Sequence, residues 1–244
     1  MNIVSLLEYD YKVSELCSMS DAVLFTLLEN VKLIATEDQK HEYYVSQLIL
    51  AGINYDESFF DKIFSHCILT FGFKHTYARV IIPLLRRIGL MWSTSKLPPT
   101  QEHFLSNLVR QKIFVAIDSL PPSKSTGPPT LLFLPENEFH DIPLLFAHFL
   151  LRGNDQRCIY LGANVPLVSL KESLKSIKPA NLLFFLIHQD IPENVEAYIG
   201  EICKVHKGKI FLGGNLDLLN KLTLKNNNKI KLLLSINDLE ENLV

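Results

Sequence analysis

The side chains best placed to do chemistry are Glu138 and His140. They follow the apolar run Leu131–Leu134, which has the length of a strand and is stopped by Pro135. From Ile142 onward the apolar residues recur at helical spacing, so His140 lies on a loop that leaves a strand and enters a helix. Ligands bind at such loops in open α/β sheets. A single loop histidine is more often a capping or surface residue than a ligand, so its meaning depends on what accompanies it.

A second polar pair, Glu102-His103, follows the only tryptophan of the chain, Trp92, at a separation of ten residues. Taken alone, Trp92 would be a core aromatic residue. Glu102-His103 would be the polar first turn of a helix, where an acid is favoured by the helix dipole. Both interpretations stay open on these residues alone.

Glycines stand after two of the predicted strands. Gly162 lies in the segment Leu161-Gly162-Ala163-Asn164, and Gly213-Gly214 follows the strand-like run 209–212. Glycine pairs of this kind open a groove beside a sheet or form a tight strand-to-helix turn, and the sequence alone does not distinguish the two.

The elements that must position these residues fall into two halves. Residues 38–120 predict helices at about 38–51, 56–71, 75–93 and 99–119, with a kink at Pro83. Short connections favour an antiparallel four-helix bundle. Residues 1–37 read as short helical pieces, and residues 121–129, rich in proline, as a linker.

From residue 130 the pattern alternates between strands and helices. Strand-like runs occupy 130–134, 157–161, 181–187, 209–212 and 230–234, and amphipathic helical stretches occupy 141–152, 166–177, 192–205 and 214–222. This alternation predicts an α/β fold for 130–244, a Rossmann-like (flavodoxin-like) five-stranded parallel sheet with helices on both faces.

Composition excludes several classes of function. The formal net charge of the 244-residue chain is −2, so no global field attracts it to nucleic acid or an anionic membrane. The four cysteines form no CxxC pair, and the N-terminus has no signal-peptide pattern, so we expect a cytoplasmic protein without a transmembrane helix. P-loop, GxGxxG, GxSxG and HExxH motifs are absent. The remaining histidines show no metal-ligand spacing: His41, His66, His75, His148, His188 and His206.

Three segments carry a resemblance to a known family. They are VIIPLLRRIGLMW followed after nine intervening residues by Glu-His, YLGANVPLVSL, and LLEYDYKVSELCSMSD near the N-terminus. Over about residues 38–235 the chain resembles the light-sensing, cobalamin-binding regulators of the MerR class. Their sensory part is a helical bundle followed by a Rossmann-like domain. The N-terminal segment resembles the end of a MerR-type DNA-binding domain, whose recognition helix should precede it and is not complete in this chain.

The resemblance implies roles on both faces of a corrin ring. His140 would bind cobalt as the lower axial ligand, Glu138 would hold its other ring nitrogen, and Trp92 would cover the upper ligand. Glu102 could bind an adenosyl sugar hydroxyl, and His103 could take the upper axial position if that ligand is lost.

The glycines Gly162, Gly213 and Gly214 would make room for the cofactor, with the groove beside Gly213-Gly214 receiving its nucleotide tail. The cofactor would be cobalamin, most readily adenosylcobalamin, held between bundle and Rossmann-like domain. Light would break the cobalt–carbon bond and change the state of a homo-oligomer, a dimer or tetramer, and hence DNA binding. The chain would not be an enzyme.

The chain departs from the family pattern at the predicted tail groove. Pro143 stands where the family has a glycine three residues after the histidine. Phe185 and Ile187 occupy the third strand where a small hydroxyl residue is expected. Large side chains there would narrow the groove. These departures motivate one alternative, a cofactor-free regulatory module that binds other proteins. A corrinoid carrier for methyl transfer is a second alternative, since such carriers resemble this chain in their bundle-plus-Rossmann layout.

Overall fold

The computed structural model of the protein describes residues 36–188, 194–223 and 228–243, together with a few isolated residues before Thr36. The chain divides into two compact units between Leu108 and Val109. This division falls inside a helix, Pro99–Asp118, whereas the sequence places the boundary at the linker 121–129. The domain limits drawn from the sequence stay predictions, and the helical pieces expected for 1–37 lie almost wholly outside the described residues.

The first unit is helical throughout its described part. Its elements are α1 (Glu37–Ile53), α2 (Glu57–Phe71), α3 (Phe73–Thr76), a π-helix (Tyr77–Ile81), α4 (Ile82–Ser93) and α5 (Pro99–Asp118), which continues into the second unit. These bounds agree with the four predicted segments to within a few residues, while the antiparallel four-helix bundle itself stays a prediction.

Local sequence explains where these helices begin. Thr36 and Gln39 form a capping box at the start of α1, and the carboxylate of Asp56 accepts from the amide of Phe59 at the start of α2. Gly52 near the end of α1 lets α5 approach closely, because a Cβ there would lie 2.3 Å from Cδ1 of the buried Leu105.

The π-helix precedes Pro83, where the sequence predicts a kink. The amide of Ile82 donates to the carbonyl of Tyr77, five residues earlier. Proline lacks an N–H, and its ring collides with the carbonyl four residues before it in an α-helix. Widening the turn before Pro83 relieves that collision, so α4 begins with the proline in its first turn.

The second unit is a five-stranded parallel sheet with helices, as the sequence predicts. Its elements are β1 (Thr130–Pro135), α6 (Ile142–Gly153), β2 (Cys158–Val165), α7 (Leu167–Ile177), β3 (Asn181–Leu186), α8 (Val195–Val205), β4 (Lys209–Gly214), α9 (Leu216–Lys221), β5 (Ile230–Leu233) and α10 (Ile236–Leu243). The last helix, α10, was not predicted.

The strand order is β2-β1-β3-β4-β5, and every pair of neighbours is parallel. This is the flavodoxin-like order, in which the connections reverse direction between β1 and β3. The loops that follow β1 and β3 therefore diverge to opposite faces and leave a crevice at their carboxyl ends. Both Glu138 and His140 lie on the loop after β1, so the topology brings them to this crevice.

The sheet packs on both faces because successive side chains of a strand alternate between them. One face buries Phe133, Phe184 and Leu212 against α7, α8 and α9. The opposite face, which carries Phe185 and Gly213, is covered by α6 and α10, the helices that contact the sheet outside that core.

Candidate functional site

The loop between β1 and α6 is shaped by backbone turns and by one asparagine. Asn137 has φ +67°, a left-handed conformation that asparagine tolerates, and the amide of Glu138 donates to the carbonyl of Pro135 at 3.0 Å. Asn164, at the end of β2, contacts this loop twice. Its side-chain Oδ1 accepts from the backbone amide of Asn137 at 2.9 Å, and its backbone amide donates to the carbonyl of Glu138 at 3.1 Å. The two neighbouring strand ends therefore fix the course of this loop.

The carboxylate of Glu138 is the centre of the loop, and 1% of its side chain is exposed. Its Oε1 accepts from the amide of His140 at 3.0 Å and from Nδ1 of the same residue at 2.6 Å. Its Oε2 accepts from the amides of Ile187 at 3.0 Å and His188 at 2.8 Å, just after β3. One side chain thus joins the histidine to the two strand ends that flank the crevice.

These hydrogen bonds determine the charge state of Glu138. Burial by itself raises the pKa of a carboxyl group, but the hydrogen bonds from His140 and from the backbone of His188 outweigh it and lower the pKa of Glu138 to about 2. Since a carboxylate only accepts, Nδ1 of His140 carries the proton, and the basic lone pair of the ring then lies on Nε2. The imidazole remains 58% exposed at the mouth of the crevice.

The far end of the loop is held by an ion pair. Asp141 precedes α6, and its Oδ1 accepts from Nε of Arg110 at 2.8 Å, with both side chains largely buried. Pro143 lies in the first turn of α6, a position where proline is well accommodated because its missing N–H has no helical partner. Proline at this position is therefore explained by the start of the helix.

The second group of predicted site residues lies in the helical unit. Trp92 lies in the last turn of α4 with 53% of its surface exposed, and the amide of Ser95 donates to its carbonyl at 2.9 Å. A short turn then leads to α5, whose first turn carries Glu102, followed by His103. The carboxylate of Glu102 contacts Nδ1 of His103 at 2.8 Å, and 71% of the His103 side chain is exposed. These three residues occupy the same end of that unit.

The glycines have different surroundings. Gly162 has φ +84° and lies in β2 beside a register irregularity with β1. Gly214 has φ +137°, and a Cβ there would lie 2.0 Å from the carbonyl oxygen of Leu186, so this position requires glycine for close strand approach. At Gly213 a Cβ would lie 2.5 Å from Cε1 of Phe185, so the ring of Phe185 fills the space beside it.

The structure thus brings His140 and Glu138 together, and separately Glu102 and His103. Sequence reasoning missed the amides of Ile187 and His188, which have no side-chain signal, and the Arg110–Asp141 pair, which is 31 residues apart in the chain. Within the described ranges there is no cluster of three or more His, Cys, Asp or Glu side chains able to hold a metal ion. No helix in the described part of the chain is both long and apolar enough to span a bilayer.

Parts of the chain are similar to known proteins. Residues 44–116, in the helical part of the chain, match the family of B12 binding domains. The chain is 29% identical over 113 residues to the HTH-type transcriptional repressor CarA of Myxococcus xanthus, and 25% identical over 138 residues to the repressor CarH of the same organism. These alignments cover 46% and 57% of the chain. The chain spans only 37% and 46% of the length of these repressors.

Among solved structures, the monomethylamine corrinoid protein of Methanosarcina barkeri has a similar fold. The TM-score is 0.66 at 12% identity, over 82% of this chain and 96% of that one. At this identity the likeness establishes the fold alone. Together these matches confirm the resemblance to cobalamin-binding regulators that the sequence motifs indicate.

Proposed function

We propose that this chain is the corrinoid-sensing region of a transcriptional regulator, with His140 as the protein's ligand to cobalt. The observation that carries the proposal is an exposed imidazole at the switch point of a flavodoxin-like sheet, oriented through Nδ1 by a buried carboxylate. Metal-binding histidines commonly have such a carboxylate on the other ring nitrogen, because it fixes the tautomer and makes the ligating nitrogen more basic.

The donor set fits a metal that brings most of its ligands with it. A corrin supplies four equatorial nitrogens, so the protein needs to add an axial ligand, and imidazole suits first-row metals. With Nδ1 held by Glu138, the ring would present Nε2 to the cobalt. The protein therefore does not need to supply a complete set of metal ligands.

The helical unit would act on the other face of the ring. We propose that Trp92 excludes water from the upper ligand and that Glu102 orients His103, which would be the alternative upper axial ligand. Trp92 and His103 are more than half exposed, so both side chains are accessible to a ligand.

An adenosylated corrinoid, with adenosylcobalamin as the example, is the proposed natural ligand, because the resemblance extends to regulators that sense light through an adenosyl group. When bound, that cofactor would supply a light-labile cobalt–carbon bond. Cleavage of that bond by light would change the oligomeric state of the protein. The change would alter DNA binding by a DNA-reading domain that precedes this region. The proposed role is that of a sensor and not of an enzyme.

The proposal is tested by reconstitution with a panel of corrinoids that includes adenosylcobalamin, aquocobalamin and cobinamide. After gel filtration the wild-type chain should retain a corrinoid spectrum, and His140→Ala should bind about tenfold more weakly or worse. His188→Ala is the matched control, since its exposed side chain lies at the same sheet edge while its backbone amide still contacts Glu138.

Axial ligation is identified by electron paramagnetic resonance of the cobalt(II) form. Protein labelled with ¹⁵N in histidine should convert the nitrogen splitting from a triplet to a doublet, and His140→Ala should abolish the change. The proposal would be wrong if the chain retained none of the corrinoids. It would also be wrong if the nitrogen splitting of the cobalt(II) spectrum were unchanged by the ¹⁵N label. Exposure of the adenosyl complex to green light, followed by size measurement, tests the light response separately.

A second candidate is a corrinoid carrier for methyl transfer, because the fold is shared with a solved corrinoid protein. Transfer of a methyl group to the reconstituted chain by a corrinoid methyltransferase would favour the carrier. A cofactor-free regulatory module is the third candidate. It is favoured by the ring of Phe185 beside Gly213, and retention of any corrinoid excludes it.

A further inference from the structure

The face of the sheet beside His140 contains an aromatic ring where a cofactor tail would need room. Phe185 and Gly213 are register partners in the neighbouring strands β3 and β4. A Cβ on Gly213 would lie 2.5 Å from Cε1 and 2.7 Å from Cδ1 of Phe185. The ring therefore lies across the glycine, in the volume that its missing side chain leaves.

The ring of Phe185 lies near the carboxyl ends of the strands, where His140 is also found. Phe185 is 9% exposed, on the face that α6 covers, and α6 starts directly after the His140 loop. Two residues further along, the amide of Ile187 donates to Glu138. The neighbouring Gly214 is required by the 2.0 Å approach to the Leu186 carbonyl. Both glycines are thus explained by packing of the protein on itself.

A cobalamin whose cobalt is taken by a histidine must place its displaced benzimidazole nucleotide elsewhere. A planar base entering beside Gly213 would have to expel the ring of Phe185, and interiors are packed too densely to hold both. The intramolecular cobalt–benzimidazole bond would then be broken without compensating burial. A corrinoid that has no coordinating nucleotide incurs no such loss.

We infer that Phe185 closes the tail groove and makes this chain selective for the corrin ring alone, so that it prefers corrinoids without a coordinating lower nucleotide. This inference rests on the proposed function and specifies its ligand class. Cobalamin can still bind, with its nucleotide left outside the sheet. The ring of Phe185 would thus fill the groove proposed for the aromatic base.

The first test compares wild-type affinities for aquocobalamin and diaquocobinamide, which share the corrin ring and differ in the nucleotide. We expect cobinamide to bind about ten- to a hundred-fold more tightly, because cobalamin must either break its cobalt–benzimidazole bond without compensating burial or force extra bulk into a packed interior. Equal binding, or tighter binding of cobalamin, would overturn the inference while leaving the proposed function intact. Failure to bind either corrinoid would instead overturn the proposed function and this inference with it.

The second test opens the groove. Phe185→Ala should shift the preference toward cobalamin by about tenfold or more, whereas Phe184→Ala, which removes a ring from the opposite face of the same strand, should leave the ratio unchanged. Because loss of a buried aromatic side chain destabilises a core, melting temperature is measured alongside. Cobalamin should raise the melting temperature of Phe185→Ala more than it raises that of the wild type. An unchanged ratio in a folded Phe185→Ala chain would contradict the role of this ring.

Discussion

Replacing Glu138 with glutamine should destabilise the second unit and misplace His140. Both oxygens of the carboxylate accept two hydrogen bonds each, from the His140 amide and Nδ1 on one side and from the Ile187 and His188 amides on the other. An amide has only one acceptor oxygen. Whichever way the glutamine is turned, its NH₂ group faces donors, and a buried polar group left without a suitable partner is costly.

The size of the expected loss of stability follows from the pKa of Glu138. Its ordinary value of 4.5 is lowered to about 2 in the folded chain, and each unit of difference corresponds to about 1.4 kcal/mol, so the ionised form contributes about 3 kcal/mol. Because the folded pKa lies below the unfolded one, this contribution is complete above pH 4.5 and is lost as the pH falls toward 2.

The assay is urea unfolding of wild type and Glu138→Gln at a series of pH values from neutral down to about 3. At neutral pH the variant should be less stable by about 3 kcal/mol. The difference should shrink as the solution becomes acidic, since wild type loses its advantage. Glu136→Gln is the matched control, an exposed carboxylate on the same loop for which no such effect is expected.

The corrinoid affinity of Glu138→Gln provides an independent reading. Removing the partner of a metal-binding histidine typically costs about 10–100-fold in metal affinity, because the ring loses its fixed tautomer and orientation. Equal stability of the two proteins at all pH values would refute the hydrogen-bond account of the loop. Unchanged affinity in a destabilised variant would separate the stability role from any role at the metal.

Two further changes test packing and the loop's other anchor. Asp141→Asn should lower stability by about 1–2 kcal/mol in a thermal melt, since it removes the charge from the largely buried pair with Arg110; no change in melting temperature would mean that the pair contributes nothing. Gly52→Ala should cost about 1–3 kcal/mol because its Cβ collides with Leu105. Gly89→Ala, with no atom within 4 Å of its Cβ, should be neutral or slightly stabilising, and similar melts for both would contradict the close approach.

The sequence predicts the course of the chain well where periodicity is strong. The strand at 130–134 and the helix after it are found as Thr130–Pro135 and Ile142–Gly153, and their order alone places His140 on a strand-to-helix loop. That this loop lies at the switch point follows from the strand order of the folded sheet. These features depend on local patterns of apolar residues and on proline stops, which act over a few residues.

Other features depend on partners far apart in the chain. The amides of Ile187 and His188 meet a carboxylate about fifty residues earlier, and a backbone amide has no residue type to signal it. Phe185 is recognisable as a departure from a family pattern. That its ring lies on Gly213 follows only from the register of β3 against β4.

The four hydrogen bonds to Glu138 form within the chain itself, so they are available before any corrinoid arrives. The conformational entropy of this loop is therefore lost during folding, and binding of a ligand requires no further ordering of the loop. A ring approaching His140 would meet a ligand already aimed, and the rate of capture would be governed by diffusion to the crevice and by departure of water from the metal.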